Sequence, residues 1–241
     1  MEHRLSRMTL MVGKAGMEKL RQAHVMVIGC GAVGSYAIEA LARGGIGHLT
    51  LVDFDSIHPS NINRQLFALQ STLNEKKITV AQERIRDIGF DIRVDSMDLL
   101  VNADTVKQIV AIKPDFVIDA IDSLNPKVCL IEALQNAHIP FVSSMGAALK
   151  TKPELVQITK MNKTKNCPLA AFVRKYLRRR HVSLDFWVVA SSELTQDKSK
   201  LHLPDEMPKS GRVRHEMGSF PTITGIFGLM CAQKVFDELL K

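Results

Sequence analysis

A short glycine-rich turn between a hydrophobic strand and a helix limits the folds open to this chain more than any other segment. Residues 25–28 are apolar, and Gly29, Gly31 and Gly34 follow with the spacing Gly-x-Gly-x-x-Gly. Glycines at this spacing let backbone N–H groups approach a phosphate at the N-terminus of a helix. A second apolar strand ends in Asp53, the acid that such a fingerprint uses to bind ribose hydroxyls. The motif alone indicates a nucleotide site and leaves NAD, FAD and ATP open.

Apolar runs and amphipathic segments alternate from residue 24 onward. This alternation predicts an α/β fold, a Rossmann-like and mostly parallel sheet with helices on both faces, plus a C-terminal α/β extension. The strands are predicted at residues 24–29, 48–53, 91–96, 115–119, 140–144, 154–160 and 185–190. The helices are predicted at residues 8–22, 32–44, 75–88, 103–111, 126–137 and 168–180, with a buried C-terminal helix within 220–240.

Two of the predicted helices have apolar residues spaced for a single buried face. In the first helix these residues are Met8, Leu10, Met11, Met17 and Leu20. In the helix at 168–180 they are Leu169, Phe172, Val173, Tyr176 and Leu177. The polar stretch between Glu193 and Gly218 has the composition of a mobile loop.

The charge and cysteine content narrow the class of protein. The net charge is +7, which is compatible with a polyanionic partner. The four cysteines form no C-x-x-C pair, so a zinc site built from cysteine pairs is excluded. Four reduced thiols and an N-terminus with no apolar signal region favour a cytoplasmic location. The C-terminal apolar stretch contains glycines and charges, so no integral membrane span is expected, while peripheral membrane contact stays open.

Charged residues that follow the second strand help to distinguish a redox site from a site that transfers a nucleotidyl group. Hydride transfer develops little charge on phosphate, whereas nucleotidyl transfer builds negative charge that fixed cations stabilise. Arg64 suits a bidentate phosphate clamp and Lys77 suits a point contact, although the neighbouring Lys76 is an equal candidate. Asp55 follows Asp53 by two residues and either points into the same site or is a solvated loop acid.

A second acidic pair follows the predicted strand at 115–119. Asp122 lies just beyond this strand, where a carboxylate next to a triphosphate suits Mg²⁺. Asp119 is the alternative ligand, or it caps the following turn.

Together these residues resemble the ubiquitin-activating-enzyme-like adenylating superfamily (ThiF/MoeB/HesA). The matching positions are Gly29-x-Gly31-x-x-Gly34, Asp53-Phe54-Asp55, Asn61-x-x-Arg64-Gln65, Lys77 and Asp119-x-x-Asp122. The resemblance implies that ATP and Mg²⁺ are bound, that catalysis depends on Arg64, Lys77 and Asp122, and that Asp122 holds the metal. It also implies that the nucleotide contacts Gly29, Gly31, Gly34, Asp53, Asp55, Asn61, Arg64, Lys77 and Asp122. On this basis residues 1–160 form an ATP-binding adenylating domain, and 161–241 form a C-terminal extension packed on it.

Further segments resemble the branch of this superfamily that dehydrates threonylcarbamoyladenosine in tRNA. They are Leu5-Ser6-Arg7, Ala40-Leu41-Ala42-Arg43, Ile118–Ser123, Pro168-Leu169-Ala170-Ala171 and residues 218–225. The resemblance implies a homodimer in which Arg7 enters the partner's ATP site as a catalytic residue, and it leaves open an accessory sulfur-relay protein. The reaction implied is adenylation of the threonyl carboxylate followed by ring closure. Activation of a ubiquitin-like or sulfur-carrier protein is the alternative, and an NAD-binding redox or regulatory module is a third.

Two local features bear on this choice. Cys167 precedes the basic helix at a position where the branch more often carries Asp; it is either a thioester nucleophile or a small residue at a helix N-terminus. The basic helix carries Arg174, Lys175, Arg178 and Arg179, which are candidates for phosphate contacts with a tRNA anticodon arm. A solvated charged face is the alternative for these residues. Arg212, Arg214 and His215 add positive charge in the polar stretch.

Overall fold

The residues that the structure describes form one seven-stranded sheet with the strand order β3-β2-β1-β4-β5-β7-β6. The computed structural model describes residues 4–194 and 217–241. The first six strands in sheet order are parallel, and only β6, at the edge, runs antiparallel to its neighbour β7. The strands are β1 (His24–Ile28), β2 (His48–Val52), β3 (Arg93–Met97), β4 (Phe116–Asp119), β5 (Phe141–Ser144), β6 (Val156–Lys160) and β7 (Trp187–Ser191).

Helices cover both faces of the sheet, because successive apolar side chains of a buried strand point to opposite sides. On β1, Val25 and Val27 pack with α1, α2, α3 and α7, whereas Met26 and Ile28 pack with α4, α5 and α6. The helices are α1 (Ser6–Gln22), α2 (Gly34–Gly44), α3 (Lys77–Ile88), α4 (Val106–Ala111), α5 (Leu124–Asn136), α6 (Pro168–Arg179) and α7 (Pro221–Leu239). None of the helices in the described ranges is long and apolar enough to cross a membrane.

The predicted α/β class is confirmed, and the predicted strands and helices lie within three residues of the observed ends. The position of β7 was not evident from the sequence: it inserts between β5 and β6, so the last strand along the described part of the chain is not the edge strand. The division of the chain at residue 160 stays a prediction. Most of the stretch expected to be a mobile loop lies outside the described residues.

The single apolar face predicted for the first helix is wrong. Gly13 breaks α1 with φ +72° and ψ 173°, so the segments before and after it do not share one helical face. Met17 and Leu20 are buried, whereas Leu10 and Met11 are 87% and 83% exposed. The two exposed residues lie on the segment that precedes the kink.

The long C-terminal helix α7 packs against α2 through glycine. A Cβ atom added to Gly228 would lie 2.3 Å from the carbonyl oxygen of Val33 and 2.8 Å from the Cβ of Tyr36. One turn earlier, a Cβ on Gly225 would meet only the Tyr36 ring, at 3.4–3.5 Å, which is ordinary contact. Gly228 therefore sets the distance between these helices. This matters for the site, because α2 begins at Gly34 of the glycine turn.

Two alanine substitutions on α7 test this packing. Gly228→Ala should destabilise the fold by about 1–3 kcal/mol, the usual range for overpacking, because its clash is with backbone. Gly225→Ala should be neutral or stabilise by up to about 1 kcal/mol, since alanine favours helix. The chain has one tryptophan, Trp187 in β7, so urea unfolding can be followed by its fluorescence. Equal midpoints for the two variants would contradict the proposed role of Gly228.

Candidate nucleotide-binding site

The glycine turn lies where the strand order reverses direction. β1 has β2 on one side and β4 on the other, so the turns after β1 and β4 flank the crevice in which open α/β sheets bind ligands. Gly29 has φ +93°, and a Cβ on Gly34 would lie 1.7 Å from the carbonyl oxygen of Gly29. A Cβ on Gly31 would meet nothing closer than Nε2 of Gln65, at 3.8 Å. The fold thus requires glycine at 29 and 34, while the surface over Gly31 is open to a ligand.

Asp53 connects the end of β2 to the glycine turn. Its Oδ2 accepts a hydrogen bond from the backbone N–H of Cys30 at 2.7 Å, and its Oδ1 accepts one from Asp55 N–H at 2.8 Å. Burial raises the pKa of the Asp53 carboxyl, and the nearby charge of Lys77 opposes that shift. Asp53 therefore holds the turn in place; its contact with ribose stays a prediction.

The two adjacent lysines point to different partners. Lys77 begins α3, is buried, and its Nζ forms an ion pair with Asp55 at 2.9 Å. The Nζ of Lys76 donates to the carbonyl oxygen of Phe54 and pairs with Asp98 at 3.0 Å. Lys77 is thus placed with Asp53 and Asp55 at the crevice, which favours it over Lys76 as the phosphate ligand.

The segment that carries Asn61 and Arg64 folds as a short 3-10 helix (Pro59–Asn61) and a following turn. The carbonyl oxygen of Asn61 accepts hydrogen bonds from the N–H groups of Arg64 and Gln65, at 3.1 and 2.9 Å. Nη1 of Arg64 donates to the carbonyl oxygen of Ser60 at 2.8 Å. Nε2 of Gln65 would lie 3.8 Å from a Cβ on Gly31, so the end of this segment lies near the glycine turn.

The structure distinguishes the two acids after β4. Asp119 is fully buried: Nζ of Lys127 donates to it at 2.7 Å, and Oγ of Ser143 donates at 2.6 Å. Asp122 is exposed, and its Oδ1 accepts a hydrogen bond from Oγ of Ser123 at 3.1 Å. One or two carboxylates together with phosphate oxygens suit Mg²⁺, so the exposed Asp122 fits that ion better than Asp119 does.

Lys127 and Ser143 are the polar residues of this region that the sequence analysis missed. A lysine in the first turns of a helix usually faces solvent, so its identity gives no warning of burial. Asp119 at the end of an apolar strand was the available signal. A buried carboxylate needs a hydrogen-bonded or charged partner, so a polar partner on a neighbouring element was to be expected.

Arg7 is exposed in the first turn of α1. Leu5, two residues earlier, packs against Gly45, just beyond the C-terminal end of α2. The glycine turn lies at the other end of this 11-residue helix, which is about 16 Å long at 1.5 Å per residue. The start of α1 therefore lies near the C-terminal end of α2, whereas the glycine turn of the same chain lies at the N-terminal end of α2.

The basic helix α6 differs in part from its predicted pattern. Its buried residues are Ala170, Val173 and Leu177; Phe172, expected on that face, is 52% exposed, which corrects the prediction. Sγ of Cys167 accepts a hydrogen bond from Ala170 N–H at 3.5 Å, so this buried residue is the N-cap of α6.

The four basic candidates on α6 fall into two groups. Arg174 is half-buried and its Nη1 donates to the hydroxyl and, at 3.2 Å, to the carbonyl oxygen of Thr164, so it fastens the helix to the preceding segment. Lys175, Arg178 and Arg179 are exposed. Of the four, these three stay candidates for contacts with a polyanion. Arg212, Arg214 and His215 lie outside the described residues.

Gly31 and Gly34 differ in what an added side chain would meet, and this difference can be tested. Gly31→Ala should leave the thermal unfolding midpoint within about 2 °C of the original protein, because a Cβ there meets only ordinary contacts. It should weaken ATP binding at least tenfold, since the added methyl group occupies the space over which phosphate would lie. Calorimetric titration with ATP measures this loss. Gly34→Ala is the control that should lower the unfolding midpoint, and unchanged ATP affinity in Gly31→Ala would contradict the phosphate site.

Comparison with known proteins extends the likeness over the whole chain. The model of the ThiF family matches residues 4–241. The tRNA threonylcarbamoyladenosine dehydratase of Bacillus subtilis is 35% identical over 244 residues, which cover 100% of this chain and 96% of that protein. The dehydratase of the same name from Haemophilus influenzae is 36% identical, over 93% of this chain and 88% of that protein.

Solved structures give the same result. The crystal structure of the E. coli tRNA N6-threonylcarbamoyladenosine dehydratase in complex with ATP has a TM-score of 0.89 and 32% identity. The match covers 99% of this chain and 94% of that one. Likeness to the molybdopterin-synthase adenylyltransferase of Salmonella typhimurium is narrower, with 29% identity over 60% of this chain and 57% of that protein. The glycine turn at the switch point and the matching family model together show that this chain belongs to the ThiF family.

Proposed function

We propose that this protein is an ATP-dependent tRNA threonylcarbamoyladenosine dehydratase. It cyclises N6-threonylcarbamoyladenosine next to the anticodon. The observation that carries the proposal is the set of groups around the glycine turn: the open face of Gly31, the buried cation Lys77, Arg64 and the exposed Asp122. This set suits phosphate chemistry on ATP. The Bacillus subtilis protein and the E. coli structure, which match 100% and 99% of the chain at 35% and 32% identity, both bear the dehydratase name.

The reaction proceeds in two steps. The threonyl carboxylate attacks the α-phosphorus of ATP, which forms an acyl-adenylate and releases pyrophosphate. A nucleophile in the same modified nucleoside then attacks the acyl carbon, loses its proton, closes a ring and releases AMP, which carries away one carboxylate oxygen. The second step is intramolecular, so the reacting groups are already held together and little entropy is lost.

The residues of the crevice have separate roles in the first step. Lys77 and Arg64 stabilise the negative charge that develops on the α-phosphate and the departing pyrophosphate. Asp122 would hold Mg²⁺, which neutralises charge on the phosphate oxygens when bound. The backbone N–H groups at Gly31 and the start of α2 bind phosphate, and Asp53, Asp55 and Asn61 complete the nucleotide site.

The tRNA binds along the exposed face of α6. Lys175, Arg178 and Arg179 contact phosphates of the anticodon arm, so binding weakens as salt rises. The target nucleoside must leave the base stack to reach the crevice at the carboxyl edge of the sheet. A tRNA substrate places the enzyme in the cytoplasm, and an accessory sulfur-relay protein stays a candidate partner.

The protein acts as a homodimer in which Arg7 completes the partner's ATP site. Two observations support this. The start of α1 lies near the opposite end of α2 from its own glycine turn, and Leu10 and Met11, one turn from Arg7, are large apolar side chains exposed in the single chain. A second copy that covers these side chains would bring Arg7 with it.

The first experiment measures the mass of the nucleoside. When tRNA that carries threonylcarbamoyladenosine is incubated with the protein and ATP, digestion and mass spectrometry should show the loss of one water. Lys77→Ala should slow this conversion by about 10²–10³, the usual cost of removing a group that stabilises transition-state charge. Lys76→Ala is the matched control and should retain activity, because Lys76 pairs with Asp98.

An unchanged nucleoside mass with folded protein and ATP would refute the dehydratase proposal. The alternative, activation of a carrier protein, would then be supported by ATP–pyrophosphate exchange that requires a protein ending in Gly-Gly. Equal effects of the Lys76 and Lys77 substitutions would leave the dehydratase function standing but would refute the role given to Lys77.

A mixing experiment tests the shared site. Arg7→Ala and Lys77→Ala should each be inactive as homodimers. When equal amounts of the two are mixed and allowed to exchange subunits, each heterodimer has one intact site, so about a quarter of the original activity should return. Leu10→Glu combined with Met11→Glu should give a monomer by sedimentation and little activity. A mixture that stays inactive although heterodimers form would contradict the placement of Arg7 in the partner's site.

A further inference from the structure

A charged network is buried directly beneath the turn that carries Asp122. Lys127 of α5 and Asp119 of β4 form an ion pair whose side chains are both 0% exposed, with Nζ and Oδ2 2.7 Å apart. Ser143 of β5 joins them: its Oγ donates to Asp119 at 2.6 Å and accepts from Lys127 at 3.1 Å. The network therefore connects three neighbouring elements at one point below the carboxyl edge of the sheet.

Stability alone is a poor explanation for such a network. Two charges lose their hydration when they are buried, and well-packed apolar side chains of the same size often stabilise a core at least as well. A fully hydrogen-bonded buried pair does, however, fix the relative positions of the groups that carry it. The question is therefore which neighbouring feature needs a fixed position.

The turn from Asp119 to Asp122 is that feature. Oδ1 of Asp119 accepts a hydrogen bond from the N–H of Ile121 at 3.1 Å, so the network holds the turn from below. Ala120 N–H donates to the carbonyl oxygen of Ile28 at 2.8 Å, and a Cβ on Gly29 would lie 2.9 Å from the carbonyl oxygen of Ala120. The turn thus lies against the glycine turn on one side and on the buried network on the other.

We propose that Lys127 is a positioning residue: through Asp119 and Ser143 it holds the turn so that the Asp122 carboxylate stands at a fixed place beside the glycine turn, where it can bind Mg²⁺ together with ATP phosphates. This proposal rests on the proposed function only in its use of ATP and Mg²⁺. Lys127 itself is fully buried and contacts neither. Its substitution should therefore weaken the help that Mg²⁺ gives to ATP binding, with less effect on the binding of ATP alone.

An apolar replacement of the network separates this role from a purely structural one. The triple variant Asp119→Leu, Lys127→Met, Ser143→Ala replaces each polar side chain by an apolar one of similar length and removes the acceptor for Ile121 N–H. Calorimetric titration measures ATP affinity with Mg²⁺ and again with EDTA. We expect the triple variant to unfold near the original temperature, to bind ATP without Mg²⁺ within about threefold of the original protein, and to lose at least tenfold of the affinity gained from Mg²⁺.

Another buried lysine, on the last helix, offers a matched control. Lys234 in α7 is 6% exposed and pairs with Glu238, at the far end of α7 from its N-terminus. The variant Lys234→Met, Glu238→Leu replaces that pair with apolar residues and should keep the full effect of Mg²⁺. Should the triple variant fail to fold, Ser143→Ala removes only one member of the network and should reduce the effect of Mg²⁺ several-fold.

Two results would overturn the positioning role. One is a folded triple variant, or a folded Ser143→Ala variant, that gains as much ATP affinity from Mg²⁺ as the original protein. The other is an original protein whose ATP affinity does not depend on Mg²⁺. Neither result depends on tRNA, so failure of this proposal is distinguishable from failure of the dehydratase function, which the nucleoside mass decides.

Discussion

The contact between the turn after β1 and the turn after β4 is the constraint on which the site depends. Gly29 lies so close to the carbonyl oxygen of Ala120 that no side chain fits between them, and Gly34 lies closer still to the carbonyl oxygen of Gly29. This contact fixes the start of α2, whose N-terminal N–H groups face the crevice, relative to Asp122. A phosphate held by the glycine turn is therefore within a defined distance of the acid on the second turn. Neither turn could move separately without breaking the close backbone contacts between them.

Much of this arrangement could be predicted from the sequence, because it depends on local patterns. Strands inside a parallel sheet are buried on both faces and appear as short apolar runs, so the positions of β1, β2, β4, β5 and β7 were evident. Residues just after such strands meet at one edge, which brought Asp53 and Asp122 to the same crevice as the glycine turn. The sequence pattern could not decide which of two adjacent residues of the same type belongs to the site. Lys76 and Lys77 differ in which side of α3 each faces, and only the packing of that helix places Lys77 next to Asp55.

The parts that failed share a physical reason: the spacing of apolar residues along a helix reports neither a local break in the backbone nor a partner on another element. The helical period predicted one apolar face for α1, but Gly13 adopts a left-handed φ that ends the first helical segment, and Leu10 and Met11 point away from the core. Phe172 fits the spacing of a buried face on α6, yet smaller neighbours fill the core and it remains half exposed. Lys127 was missed because a charge is buried only where a partner from another element neutralises it, and Asp119 does so across eight residues.

The distribution of positive charge is compatible with the proposal that ATP binds at one place on this basic chain and RNA at another. The cations of the crevice are already engaged: Lys77 pairs with Asp55, and Arg64 donates to the carbonyl oxygen of Ser60. A polyanion would have to replace these partners, which favours a triphosphate that also meets the N–H groups of the glycine turn over an isolated RNA phosphate. On α6, by contrast, several cations are exposed to solvent. Arg174 and Arg180 fasten the helix through Thr164 and Glu132, so that the exposed cations between and beside them are presented on a rigid surface. The same residue types thus separate into a specific site and an electrostatic surface according to whether the fold has already supplied their partners.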